Sequence, residues 1–189
     1  MRTQFKVSLA VFVVILSSCS GIQEKPDENV LLHYNNGEKF CEGLHRVYEK
    51  GNSERKNRKG IWKFYYLDGK PETIYEYDKF GDLKSYKNYD ENGNLLISQI
   101  NFENTITYLA FYEDGNIKYE SITSIETEGD EEEKYETYYE TIKEYFINGQ
   151  LKSQKETVDD ELQGKANQWD INGNLVLEYE YDDGLIKLK

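Results

Sequence analysis

At 189 residues the chain points to one domain, and only 38% of it is hydrophobic, yet its 17 Tyr, 8 Phe and 2 Trp exclude a disordered polymer, which would be poor in aromatics. Its formal charge of −13 excludes nucleic acid and anionic lipid surfaces as electrostatic partners.

Arg2 and Lys6 give the N-terminus a basic start, and the apolar run VSLAVFVVILSS follows up to Ser18. That run is too short to span a bilayer but suits a cleaved export signal. LSSC, residues 16–19, directly follows it and resembles the lipobox of bacterial lipoproteins. The resemblance implies cleavage before Cys19 and lipid on that residue. Loss of residues 1–18 would remove Arg2 and Lys6 and leave 21 basic residues against 36 acidic ones, a balance of −15. Membrane attachment would then run through the lipid, not through a basic face. With Cys19 acylated, Cys41 is the one remaining thiol and no internal disulfide can form; a buried, unreactive Cys41 is expected. SGIQEKPDEN, residues 20–29, reads as a flexible tether. It also resembles the short acidic export tags of surface lipoproteins in Bacteroidetes-type bacteria, which implies an outer-membrane, surface-exposed address.

From residue 30 onward a phrase repeats. An aromatic stands three or four residues before Gly37, Gly69, Gly81, Gly93, Gly115, Gly149, Gly173 and Gly184, and all of these glycines but Gly81 follow Asn or Asp. In six copies an aliphatic follows two residues after the glycine, as at Leu83, Leu95 and Ile117. The intervals lie near multiples of eleven or twelve residues. FENT at 102–105, EGD near 129 and VDDEL at 158–162 fill the wider gaps, with YEKG at 48–51 as a weak extra copy. Asn-Gly and Asp-Gly signal tight hairpin turns whose two central residues both take positive φ. A turn about every twelve residues leaves strands of about eight. Between turns, Leu175, Leu177, Tyr179 and Tyr181 share one parity and Glu178 and Glu180 the other, which predicts strands with at most one buried face. The fold class is therefore all-β, an elongated antiparallel β-meander of repeated hairpins in a single-layer sheet. Residues 131–146 also carry helical spacing at Tyr138, Ile142 and Tyr145, but their Thr and Tyr content and the following Asn-Gly favour strand. ETEGDEEEKYE, residues 126–136, reads as an exposed loop protruding from the sheet.

KGIWKFYYLDGK, residues 59–70, resembles the variant MORN repeat through Gly60, Trp62, Tyr65, Tyr66, Asp68, Gly69 and Lys70. GKANQWDINGN, residues 164–174, is a poorer copy with the aromatic moved to Trp169. The resemblance covers roughly residues 30–189 and implies a β-meander in lipoproteins of unknown role, some of them antitoxin-like. YDKFGDL and YDENGNL are also similar to the Tyr-Asp repeats of RHS-type proteins, but those build large shells that this chain is too short to form.

Candidate chemistry is sparse. His33, Cys41 and His45 match no zinc spacing and lack a fourth ligand, and the acidic 126–136 run lacks the Asp spacing of a calcium loop. No phosphate loop, nucleophile elbow or catalytic triad stands out, so no catalytic residue, metal or cofactor is expected. Trp62, Tyr65, Tyr66, Tyr75, Tyr77 and Tyr86 are the candidate binding surface, as a stripe suited to sugar rings or a protein partner, although the same rings could form the core. The domain organisation expected is a lipoprotein signal peptide at 1–18, lipidated Cys19 with its tether to 29, and a β-hairpin repeat domain over 30–189. The function expected is that of a lipid-anchored, non-enzymatic module binding protein or glycan; the alternative is an immunity or antitoxin-like protein that neutralises a basic toxin by electrostatic steering.

Overall fold

The computed structural model describes residues 22–130 and 133–187. The signal segment 1–18 and Cys19 lie outside them. Thirteen antiparallel strands form one open sheet in strict sequence order. They are β1 Gln23–His33, β2 Lys39–Lys50, β3 Ser53–Tyr65, β4 Pro71–Tyr77, β5 Leu83–Tyr89, β6 Leu95–Phe102 and β7 Thr105–Phe111, followed by β8 Ile117–Gly129, β9 Lys134–Tyr145, β10 Leu151–Val158, β11 Glu161–Trp169, β12 Leu175–Asp182 and β13 Leu185–Ile186. The all-β meander expected from the repeat is thus the fold. Each strand packs against its neighbours in the chain, and among the described residues no second layer covers either face.

The turns differ from the tight form expected at Asn-Gly. Seven corners share one geometry. At the first, the Tyr34 N–H donates to the Glu38 carbonyl and the Gly37 N–H to the Tyr34 carbonyl, and the pattern recurs from Tyr66, Asp78, Asp90, Tyr112, Phe146 and Asp170. Only the glycine takes positive φ, between 82° and 99°; the Asn or Asp before it does not. This is a three-residue loop closed by an αL glycine, the G1 bulge, which fits the right-handed twist of the flanking strands. After every such corner the pairing slips by one residue at the same place, as between Phe64/Tyr65 and between Asn88/Tyr89. The tight two-residue turn with both central φ positive is found at one intact phrase, Asp183-Gly184, with φ of 46° and 74°, and at the degraded phrase Asp159-Asp160, with 49° and 69°.

A meander places alternate corners at the same end of the strands. Six of the seven G1 corners, starting at residues 34, 66, 90, 112, 146 and 170, therefore line one edge of the sheet. In five of the six, all but the corner that starts at Phe146, the first residue follows a simple rule. A tyrosine reaches across to the next corner: Tyr34 Oη donates to the Tyr65 carbonyl at 2.6 Å, Tyr66 to Tyr89 at 2.6 Å and Tyr112 to Tyr145 at 2.9 Å. An aspartate closes its own loop instead. Asp90 accepts from the Asn92 and Asn94 N–H groups and from the Asn94 side chain, and Asp170 does the same with Asn172 and Asn174. Those bonds, the Asn side chains first among them, hold both carboxyls below the usual aspartate range.

Two segments depart from expectation. The tether expected through residue 29 is strand from Gln23 onward. Acids of β1 stand opposite bases of β2 and β3: Glu24 pairs with Arg46 at 2.5 Å, Asp27 with Lys59 at 2.6 Å and Glu28 with Lys56 at 2.5 Å. Pro26 sits where the β1–β2 register shifts, between Lys25 and Glu28, on an edge strand that tolerates a missing N–H. The protruding loop expected at 126–136 is a hairpin. β8 and β9 stay in register to Gly129↔Lys134, and from Ile125 and Tyr138 outward they run past β7 and β10 as a two-stranded ribbon.

With one layer there is little to bury. The buried hydrophobic side chains among the described residues are Cys41, Val47 and Trp62, and none falls below 2% exposure. Trp62 lies flat on Gly43, where an added Cβ would stand 2.2 Å from the indole, and its N–H donates to the Leu44 carbonyl at 3.0 Å. Two glycines separate the two kinds of constraint. Gly93→Ala meets no atom within 4 Å and should lose only the αL strain, about 1–2 kcal/mol. Gly43→Ala should cost roughly 1–3 kcal/mol by displacing the indole, with a loss of near-UV dichroism that Gly93→Ala does not show. Urea denaturation of both variants checks the contrast.

Candidate ligand-binding face

Cross-strand register decides which side chains share a face. One row runs Trp62↔Tyr75↔Tyr86↔Gln99↔Tyr108 across β3 to β7. Phe64 and Tyr77 flank it: ring centroids lie 5.8 Å apart for Phe64–Tyr75, 6.0 Å for Tyr75–Tyr77 and 5.8 Å for Tyr75–Tyr86. Of the six candidates, Trp62, Tyr75, Tyr77 and Tyr86 come together. Trp62 is only 3% exposed and serves as the floor, while the three tyrosines are half-buried.

The other two stand elsewhere. Tyr65 points to the opposite face, where its hydroxyl donates to Glu42 at 2.5 Å. Tyr66 belongs to the corner row through its bond to Tyr89. The six residues therefore form a four-membered patch, one contact on the far face and one edge contact. Alternation along β3 puts Tyr65 opposite Trp62 and Phe64, and Tyr66 is the first residue of a G1 corner.

Arg58 was not legible as part of this face. Its guanidinium carbon lies 4.9 Å from the Trp62 ring centroid, 5.4 Å from Phe64, 5.9 Å from Tyr75 and 5.8 Å from Tyr77. Nη1 donates to the Tyr77 hydroxyl at 3.0 Å. The available signal was a charge reversal: residues 45–63 hold seven Lys or Arg against two Glu in a chain of −13. Arg46, Lys56 and Lys59 are neutralised by β1, whereas Arg58 forms no ion pair among the described residues.

Cys41 is buried and free, and burial pushes its thiol up. His45 packs against Trp62 with centroids 4.8 Å apart, as cross-strand partner of Arg58. Among the described residues no three His, Cys, Asp or Glu side chains are grouped to hold a metal ion. No protein-family model matches the chain, and no curated protein matches it.

On the opposite face, burial and the Glu42 carboxylate raise Tyr65 to about 12, and burial with Glu120 does the same for Tyr145. A phenol whose folded value lies above its unfolded value of 10.0 stabilises the fold below that pH. Stability should fall as pH rises from about 10 to about 12, and Tyr65→Phe with Tyr145→Phe should flatten the fall. Melting temperatures across that range test it; an unchanged slope in the double variant rejects it.

Proposed function

We propose that this chain is a lipid-anchored repeat protein of the bacterial cell envelope, an outer-membrane lipoprotein joined to the lipid through Cys19. It acts as a non-enzymatic module that binds a protein or a glycan, and it is a variant of the MORN repeat design. The observation that carries the reading is the patch of half-exposed Tyr75, Tyr77 and Tyr86 beside Arg58, on a sheet face that no second layer of the described residues covers. Adjacent aromatic rings offer large contact area at low conformational cost, which suits recognition at a surface. An open sheet suits that role better than enclosed chemistry. β1 begins at Gln23, so extended chain from Cys19 reaches at most about 14 Å and sets the N-terminal corner of the sheet close to the bilayer. The row of six G1 corners lies at the opposite end of the strands.

The test has two parts. Cys19→Ser should abolish incorporation of labelled fatty acid and release the protein from membranes. Tyr75→Ala with Tyr86→Ala should abolish partner capture by the purified protein while leaving its strand dichroism unchanged. Capture undiminished in that double variant rejects the face.

The β8–β9 ribbon favours a second reading, in which the chain neutralises a basic toxin. It carries Glu126, Glu128 and Glu136 with exposed Tyr135 and Tyr138, and it stands clear of the sheet. Binding through the ribbon would weaken steeply with salt, whereas binding through the aromatic face would not.

A further inference from the structure

We propose that the Arg58 face binds a carboxylate-bearing oligosaccharide, with Arg58 pairing the carboxylate and the tyrosines stacking on the sugar rings. The proposal rests on the reading of this face as the binding surface and names its ligand class.

Charge carries the first step. Arg58 is exposed, stands on four ring faces and spends one N–H on Tyr77, and no carboxylate of the described chain meets it. A guanidinium presents five donors in a planar fork that matches a carboxylate in two parallel bonds. Seated on rings, the fork is pre-oriented, so little freedom is lost on pairing. Arg46, Lys56 and Lys59 of the surrounding segment are paired with β1 acids at 2.5–2.6 Å, so Arg58 itself is the cation this face offers. Screening over about 8 Å at physiological ionic strength limits the repulsion of an incoming carboxylate by the more distant acids.

Shape and polarity carry the second step. From Arg58 the face runs through Tyr75 and Tyr86 to Gln99 and then into a shallow depression of about 560 Å³ lined by Tyr108, Ala110, Tyr119 and Ser121. Ring faces alternate with an amide and hydroxyls, spaced by the roughly 4.8 Å between strands. A sugar chain offers both apolar ring faces and a rim of hydroxyls to such a row. An extended acidic peptide lying flat here would leave its backbone amides without a facing ladder.

The experiment is calorimetric titration of the full chain with oligosaccharides of galacturonate, glucuronate and mannuronate, and with their methyl esters. One acid form should bind, and its ester should bind at least about tenfold more weakly, as expected for loss of a charge-assisted pair. Arg58→Lys should lower affinity for the acid by a similar factor and leave the ester unaffected, with an unchanged melting temperature. Tyr86→Ala should weaken both. Equal binding of acid and ester by the unaltered protein overturns the carboxylate assignment and leaves the binding face standing. Failure of every oligosaccharide, while Tyr86→Ala still abolishes capture of a protein partner, overturns the glycan and keeps the broader reading.

Discussion

A sheet without a second layer can cover its side chains only with neighbours on the same face, because nothing approaches from above. That constraint explains why aromatics are so frequent here and why they cluster. A ring lying along the sheet shields the next strand as well as itself, as Trp62 does over Gly43 and Phe64 does toward Tyr75. Small aliphatic side chains could not reach far enough, and Leu175, Val176 and Leu177 of β12, which β13 does not pair, stay exposed. Stability is therefore local, a sum of strand-to-strand terms concentrated where rings meet.

The corners solve a second problem created by the same geometry. Hairpins that touch only their neighbours have no core to fix their spacing, so the turns must do it. The repeated G1 corner supplies an identical reversal each time, and Tyr34, Tyr66 and Tyr112 tie one corner to the next across the edge. At the β1 edge of the described sheet, Pro26, a register shift and a band of charge discourage further pairing.

Much of the fold was legible because the turn signal is covalent and periodic. The glycines and even the degraded phrases near 51, 103, 129 and 159 mark turns. The distinction between aromatics three and four residues before a glycine carried information that went unread. At three, Tyr34, Tyr66 and Tyr112 bridge corners, whereas Tyr181 stays within β12; at four, as in Tyr77 and Tyr89, the ring ends a strand. The candidate face was only partly legible. Tyr65 and Tyr66 are adjacent to the patch in sequence but not in space, since Tyr65 alternates to the far face of β3 and Tyr66 opens the corner that follows. Arg58 could not be placed because Gly60, at φ 64°, and the register shift between Glu42/Leu44 on β2 set which way it points.

Native-state hydrogen exchange tests the central claim most directly. If same-face ring packing is what holds a single-layer sheet, amides of β2 to β5 should exchange slowest and those of β12 fastest, with graded opening between them. Uniform protection across all thirteen strands, lost in one cooperative step, would contradict it.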